Sequence, residues 1–315
     1  MITYIIKKIL GILPVLFIVT AITFSILHIT PGGPAAAMLG IEASAEEIYA
    51  FNERLGLNEP LVVQYVEWIK QLLTGDLGES IFMRQSVLEA IREHLEPTLS
   101  LSLLSLLIAS LIGIPIGIAA AYKNGSWLDL FLSSTSLVGI AMPSFLLGMF
   151  LMLLLSVVFQ VFPVAGYRPL ADGLGDHLYY LSLPALSLGM TQSAIIARMT
   201  RSAMLDVLKA GYIKTARAKG LPEYKVLFKH ALKNASVPIL TVVGYSFAGL
   251  LAGSVVVESL FNIPGIGQLV VNAIKRRDFP VIQGTVLTIT LVYILVTILL
   301  DVLYAMIDSR MESGQ

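Results

Sequence analysis

The chain has 315 residues, of which 56% are hydrophobic and only 13% charged, with a mean hydropathy of +0.82; an ordinary soluble domain carries about 25% charged residues. Its 21 basic and 21 acidic side chains cancel, so bulk charge gives no reason to bind nucleic acid. Cysteine is absent, which excludes disulfides, thiol catalysis and cysteine-based metal sites together.

Six uncharged apolar stretches are long enough to cross a bilayer, which takes about 20 helical residues. They cover residues 9–29, 98–122, 130–162, 178–197, 235–257 and 281–300. The expected fold is therefore an all-α integral membrane protein with six transmembrane helices. Lys7 and Lys8 precede the first stretch, which is too long for a signal-peptide core and has no small-x-small cleavage pattern before Pro31 and Pro34. Residues 1–30 read as a retained anchor. Residues 31–97 form an extracytoplasmic segment with helical patterns over 44–56, 60–73 and 86–95. Ser44 is the expected N-cap of the first pattern, Glu47 its capping-box partner and Gly56 its stop. The segment has too little apolar surface for an independent domain, so a helical cap on the outer membrane face is expected.

The core transmembrane region runs over 98–307, with a short tail at 308–315. Gly113 with Gly117, and Gly249 with Gly253, repeat at the spacing that lets helices approach closely, and packing within the bundle is the expected use. Pro115, Pro143 and Pro184 are expected to kink or interrupt their helices. Broken helices can line transport paths, which makes Pro143 and Ser144 candidate path residues. Glu258 and Asp301 lie at the ends of spans. Asp301 reads as an interfacial charge. Glu258 and Asn262, close together on the outer side, are further candidate path residues, Glu258 for receiving the amino group of a substrate.

Loop charge orients the chain. Lys7 and Lys8 place the N-terminus inside; six crossings bring the C-terminus back inside. The outer segment 31–97 holds eleven acids against four bases, whereas the island 201–233 holds eight bases against two acids and lies inside. The outer loop 258–280 breaks the pattern with Lys275, Arg276 and Arg277.

The island asks for an explanation, being too charged for lipid and too short for a domain. The fourth helix is expected to continue out of the membrane as far as Lys219 and to stop at Gly220, Leu221 and Pro222. A new helix then carries Lys225, Lys229 and Lys233 along one face, with Val226, Leu227, Phe228, Ala231 and Leu232 covering much of the rest. Thr215, Ala216, Ala218 and Gly220 cluster as small residues at the turn. Two readings fit: the element docks in a groove of another protein, or it lies on anionic lipid. No catalytic constellation accompanies it. There is no Gly-Lys pair and hence no P-loop, no H-E-x-x-H and no G-x-S-x-G, and the four histidines share no helical spacing. No catalytic, cofactor or metal site is expected in this chain.

The stretch YIKTARAKGLPEYKVLFKHALKN, beginning at Tyr212, resembles the cytoplasmic loop of ABC importer permeases. Of that loop's wider pattern, Ala216, Gly220 and Leu232 match, whereas Lys214, Thr215, His230 and Lys233 depart from it. The form of the departure is similar to permeases of the dipeptide/oligopeptide/nickel type. GDLGES at Gly75, GIPIGIAAAYKNGSWLD at Gly113, RMTRSAMLDVL at Arg198 and FNIPGIGQLVVNAIKRRDFPVIQG at Phe261 look like the same family, and the N-terminal anchor resembles its B-type, first permease subunit. The resemblance implies a type I ABC importer permease fold. It also implies a bacterial cytoplasmic (inner) membrane location, and partnership with a homologous second permease subunit, two cytoplasmic ATPase subunits and an extracytoplasmic substrate-binding protein. ATP and magnesium would be bound by the ATPases and not by this chain. Tyr212, Thr215, Ala216, Arg217, Ala218, Gly220, Leu221 and Lys225 would form the ATPase-coupling loop, and Lys275, Arg276 and Arg277 would meet the binding protein. The implied cargo is a di- or oligopeptide; nickel or a metal complex is the alternative within the family. An ion-coupled secondary transporter or a non-transporting scaffold would be the alternatives outside it.

Overall fold

The computed structural model describes residues 2–29, 39, 44–54 and 57–307. The exit at Pro31 to Pro34, the expected stop at Gly56 and the tail 308–315 lie outside the described residues. The helices are α1 (Ile2–Ile29), α2 (Ala45–Arg54), α3 (Leu61–Leu73), α4 (Val87–Tyr122), α5 (Trp127–Ala141), α6 (Ser144–Leu151), α7 (Leu174–Leu208), α8 (Gly211–Ala218), α9 (Glu223–Lys225), α10 (Leu232–Leu260), α11 (Ile266–Arg276) and α12 (Phe279–Ile307). Two π-helical stretches, Met152–Val158 and Val226–Ala231, extend α6 and precede α10. The described residues contain no β-strand, only one isolated bridge between Glu79 and Ser86.

Among the described residues, five helices are long and apolar enough to cross a membrane, and the broken pair Trp127–Ala141 and Ser144–Val158, bent by 99°, makes a sixth if counted as one span. The break sits where proline chemistry puts it. Met142 and Pro143 are both extended, and Pro143 caps α6. A proline in that position has no N–H to give to the preceding helix and disfavours helical geometry in the residue before it. Pro115 and Pro184 lie inside helices that run on without interruption.

Three local expectations are corrected. The helical pattern 86–95 and the second span are one helix, Val87–Tyr122, which runs through Pro97. The fourth span does not continue to Lys219: α7 ends at Leu208, Ala210 is extended at ψ 147°, and α8 starts afresh at Gly211. The turn lets Ile213 and Ala216 fold back onto Met204 and be buried with it. Finally, the basic helix after Pro222 opens into a π-helical turn, whose extra residue per turn brings Val226, Leu227 and Ala231 to the interior.

The described chain divides into two compact units. The first comprises residues 1–96 and 265–294. Its core packs Val87, Ala90 and Ile91 of α4 with Ile266, Leu269 and Ala273 of α11 and Val281 of α12. Gly284 permits this approach: a Cβ there would lie 2.5 Å from Val87 Cγ1. Helix α3 is tied to α1 by Thr20 to Tyr65 at 2.7 Å and His28 to Gln64 at 3.0 Å. The capping box of α2 forms as expected, with the Ser44 amide donating to Glu47 Oε2 at 2.9 Å and the Glu47 amide to Ser44 Oγ at 3.3 Å.

The second unit, residues 97–264 and 295–315, is built around α7. Gly113 and Gly117 of α4 lie against it so closely that a Cβ would come within 2.6 Å of the Ser193 carbonyl oxygen and 2.5 Å of that of Ala197. The first glycine pair therefore does the packing expected of it. The second makes no such close approach within this chain: a Cβ at Gly249 would meet only Gln192 Nε2, at 3.5 Å, and one at Gly253 nothing within 4 Å.

Candidate functional site

The island folds as a short helix, a tight turn and a second helix. Helix α8 closes through Gly220 at φ 77°, with the Gly220 amide donating to the Arg217 carbonyl at 2.9 Å and the Leu221 amide to that of Ala216 at 3.3 Å. This is the paired closure that a left-handed residue after a helix makes, and Leu221 packs beside Ala216 beneath it. Pro222 then caps α9. Across the turn, Arg217 grips Glu223 with both its Nε (3.2 Å) and an Nη. The Glu223 carboxylate holds the Arg217 guanidinium above its ordinary pKa.

The underside of this element is anchored. Ile213, Ala216, Val226, Leu227, Ala231, Ala235 and Ile239 form one buried cluster with Ile118, Ala121 and Met204. Its outer side is left free: Tyr212, Thr215, Arg217, Ala218, Gly220 and Lys225 are exposed, as are Phe228, Lys229 and Lys233. Of the small-residue cluster read from the sequence, Thr215, Ala218 and Gly220 share the outer surface, whereas Ala216 faces the core and Leu221 is half-buried. The arrangement is a small-residue platform ringed by aromatics and cations, on a base that cannot give way independently of the span helices.

The candidate path residues are dispersed. Pro143 is exposed and Ser144 half-buried at the start of α6. Gly148 on the next turns of α6 packs against Leu260 and Phe261, which brings α6 to the end of α10. Asn262 lies just beyond, exposed and left-handed at φ 51°, closing α10 as Gly220 closes α8. Glu258 differs from expectation. It is fully buried, and its Oε1 accepts from Thr98 Oγ1 at 2.7 Å and Ser254 Oγ at 2.9 Å. A carboxyl enclosed this way serves the contact of α4 with α10; an incoming amine has no route to it in this structure. Lys275, Arg276 and Arg277 are exposed at the end of α11. Arg276 lies over the Phe82 ring, 3.4 Å from its centre, and Arg277, at φ 56°, closes the helix.

Sequence reasoning missed three polar sites. Asp129 is buried and receives Arg201 Nε at 2.6 Å and the Gly125 amide at 3.0 Å, locking the loop before α5 to α7. Asp278 is buried with Ser80 Oγ at 2.5 Å, which pins the GDLGES stretch to the start of α12. Gln192, inside the fourth span, has a buried Oε1 without a hydrogen-bond partner among the described residues. A lone amide in an apolar span was the available signal for the last; the carboxylate partners are too distant in sequence to pair by inspection.

Comparison with known proteins places these features in context. Residues 113–313 match the family described as binding-protein-dependent transport system inner membrane component, and residues 1–102 match that family's N-terminal region. A probable peptide ABC transporter permease protein of Sinorhizobium fredii is 40% identical over 98% of this chain and 99% of its own length. A putative peptide transport system permease protein of Brucella suis is 43% identical, and the glutathione transport system permease protein GsiC of Salmonella paratyphi A 42% identical, each over 98% of both chains. A chain of the MetNI methionine ABC transporter, solved in inward-facing conformations, superposes with a TM-score of 0.58 at 19% identity, covering 70% of this chain and 96% of that one.

Proposed function

Because the chain belongs to the family of binding-protein-dependent transport system inner membrane components and has the fold of an ABC importer permease, we propose that it forms half of a translocation path for di- or oligopeptides. In this reading a homologous second permease subunit completes the path. Two ATPase subunits bind ATP and magnesium on the cytoplasmic side, and an extracytoplasmic binding protein delivers the cargo. The chain itself contributes no catalytic residue and binds no cofactor. It resides in the bacterial cytoplasmic membrane with both termini inside.

The observation that carries the reading is the island: an exposed platform of Tyr212, Thr215, Ala218 and Gly220 fixed to the span helices through Ile213 and Ala216. Force applied to such a platform by an ATPase reaches α4, α7 and α10 directly, because residues of all three share the cluster beneath it. Pro143 and Ser144, at the break between α5 and α6, remain the proposed path residues, with Asn262 at the neighbouring end of α10. Lys275, Arg276 and Arg277, an exposed cationic group at the end of α11, are proposed to meet the binding protein. The peptide cargo is supported by the relatives, two of them named as peptide permeases and one as a glutathione permease.

The test uses the complete transporter in proteoliposomes. A would-be Cβ at Gly220 has open space around it, so the local cost of a side chain is its left-handed backbone, which asparagine tolerates. Gly220→Asn should keep both ATPase co-purification and ATP-dependent peptide uptake, and Gly220→Arg should lose both while inserting normally. Full uptake by Gly220→Arg would remove the island from the coupling interface. Accumulation of nickel, with short peptides neither entering nor competing, would replace the peptide cargo by a metal.

A further inference from the structure

We propose that the second unit carries a binding site for one anionic glycerophospholipid, with its phosphate at Arg198 and an acyl chain laid along a groove between α4, α5 and α7. Two cavities of about 230 and 270 Å³ open there, and Ile116, Ser136 and Ala197 stand in the walls of both. Together they run from Arg201 at the island end of α7 to Met190 near the α5–α6 break. That is eleven residues of helix, about 16 Å at 1.5 Å per residue, and half of a hydrocarbon core of about 30 Å is about 15 Å. The groove is one leaflet long.

Its two ends differ in chemistry. At the island end stand Arg198 and Arg201. Arg201 is already neutralised, since its Nε and Nη2 bond Asp129 at 2.6 and 2.8 Å. Arg198 is exposed and has no acidic partner among the described residues, so the mouth of the groove carries one uncompensated cation. Trp127, stacked on Phe131 with ring centres 5.6 Å apart, stands exposed at the same end of α5, a placement favoured at the headgroup level. Basic pockets between membrane helices at this level suit anionic headgroups.

Further in, the groove is apolar despite its hydroxyls. Thr135 and Ser136 donate to the Leu132 carbonyl at 3.0 and 2.8 Å, Thr191 to that of Leu188 at 2.8 Å, and Ser193 to that of Met190 at 2.7 Å. Every donor in that wall is consumed by its own helix. A peptide backbone laid there would find no free hydroxyl donor for its carbonyl oxygens, whereas a hydrocarbon chain asks for nothing more. The groove therefore suits an acyl chain better than a peptide, and its far end, at Met142 and Leu147, adjoins the proposed path residues Pro143 and Ser144. Its assignment to the inner leaflet rests on the orientation given above; its headgroup chemistry does not.

The assay is native mass spectrometry of the delipidated complete transporter, titrated with phosphatidylglycerol or with phosphatidylcholine of the same acyl chains. This subunit should retain a phosphatidylglycerol adduct and not a phosphatidylcholine one. Arg198→Gln should lose that adduct and Arg198→Lys should keep it. Thr135→Phe, which fills the groove and leaves the charge in place, should lose it as well. An adduct untouched by Arg198→Gln, or equal binding of the two lipids, overturns the proposal. So does a wild-type subunit without adduct whose Thr135→Phe variant separates from the second permease subunit, because the groove would then hold a partner helix.

Discussion

Glu258 illustrates how a residue's neighbours assign its role. A carboxyl at the end of a span, near the outer surface, reads as a substrate contact when only its position is known. With Thr98 and Ser254 donating to one oxygen and the side chain fully buried, it is a bracket between α4 and α10. Removing the acceptor takes one hydrogen bond from each of two buried hydroxyls, and losing a buried hydrogen-bond partner costs about 1–3 kcal/mol. Glu258→Ala should lower the thermal midpoint of the purified complex, and Glu258→Gln, which keeps an acceptor oxygen, should lower it less. Rapid labelling of Glu258→Cys by an impermeant thiol reagent, with stability unchanged in the alanine variant, would return Glu258 to the path. Asp278 and Ser80 form a similar bracket in the other unit.

At the scale of helices, two glycine pairs of identical spacing behave differently. Gly117 sits where a Cβ would meet the Ala197 carbonyl oxygen and Thr200 Cβ, both at 2.5 Å. Overpacking a tight contact costs about 1–3 kcal/mol, so Gly117→Leu should reduce yield and melting temperature. Gly253→Ala should leave both unchanged when this chain is purified alone, because its Cβ would meet nothing. Equal losses in the two variants would contradict the packing described for α4 and α7. The α5–α6 break makes a separate prediction. Pro143→Ala restores a donor and permits a straighter helix; insertion should be normal, and ATP-dependent uptake should fall. Undiminished uptake would show that the bend itself is not needed for transport.

Loop charge sets the expected orientation of the whole molecule, and the absence of cysteine lets single introduced thiols report on it. Ser80 would be a poor reporter because it is buried against Asp278. Thr74, Lys275 and Lys225 are exposed. If both termini lie inside, as proposed, Thr74→Cys and Lys275→Cys react with an impermeant reagent in intact cells, and Lys225→Cys only after lysis. Reaction at position 225 from outside would reverse the orientation and, with it, the place of the ATPases.

Membrane helices are unusually legible because the bilayer imposes one requirement on every residue of a span: a long run with no charge, whatever its neighbours. That is why five of the six expected spans fall within single helices and the third falls on the bent pair α5 and α6, why the capping box at Ser44 and Glu47 forms, and why the break at Pro143 is visible in the sequence: each depends on residues close together in the chain. The turn at Gly220 belongs with them, since its left-handed geometry is a local property of glycine. What the linear order did not disclose are relations between residues far apart. Burial of Glu258 needs Thr98; the Asp129 lock needs Arg201; the fold-back of α8 at Ala210 is decided by the cluster that Ile213 and Ala216 join with Ile118 and Met204. Side chains there take their environment from helices a hundred or more residues away in some cases, and only the packed structure brings them within 3 Å of one another.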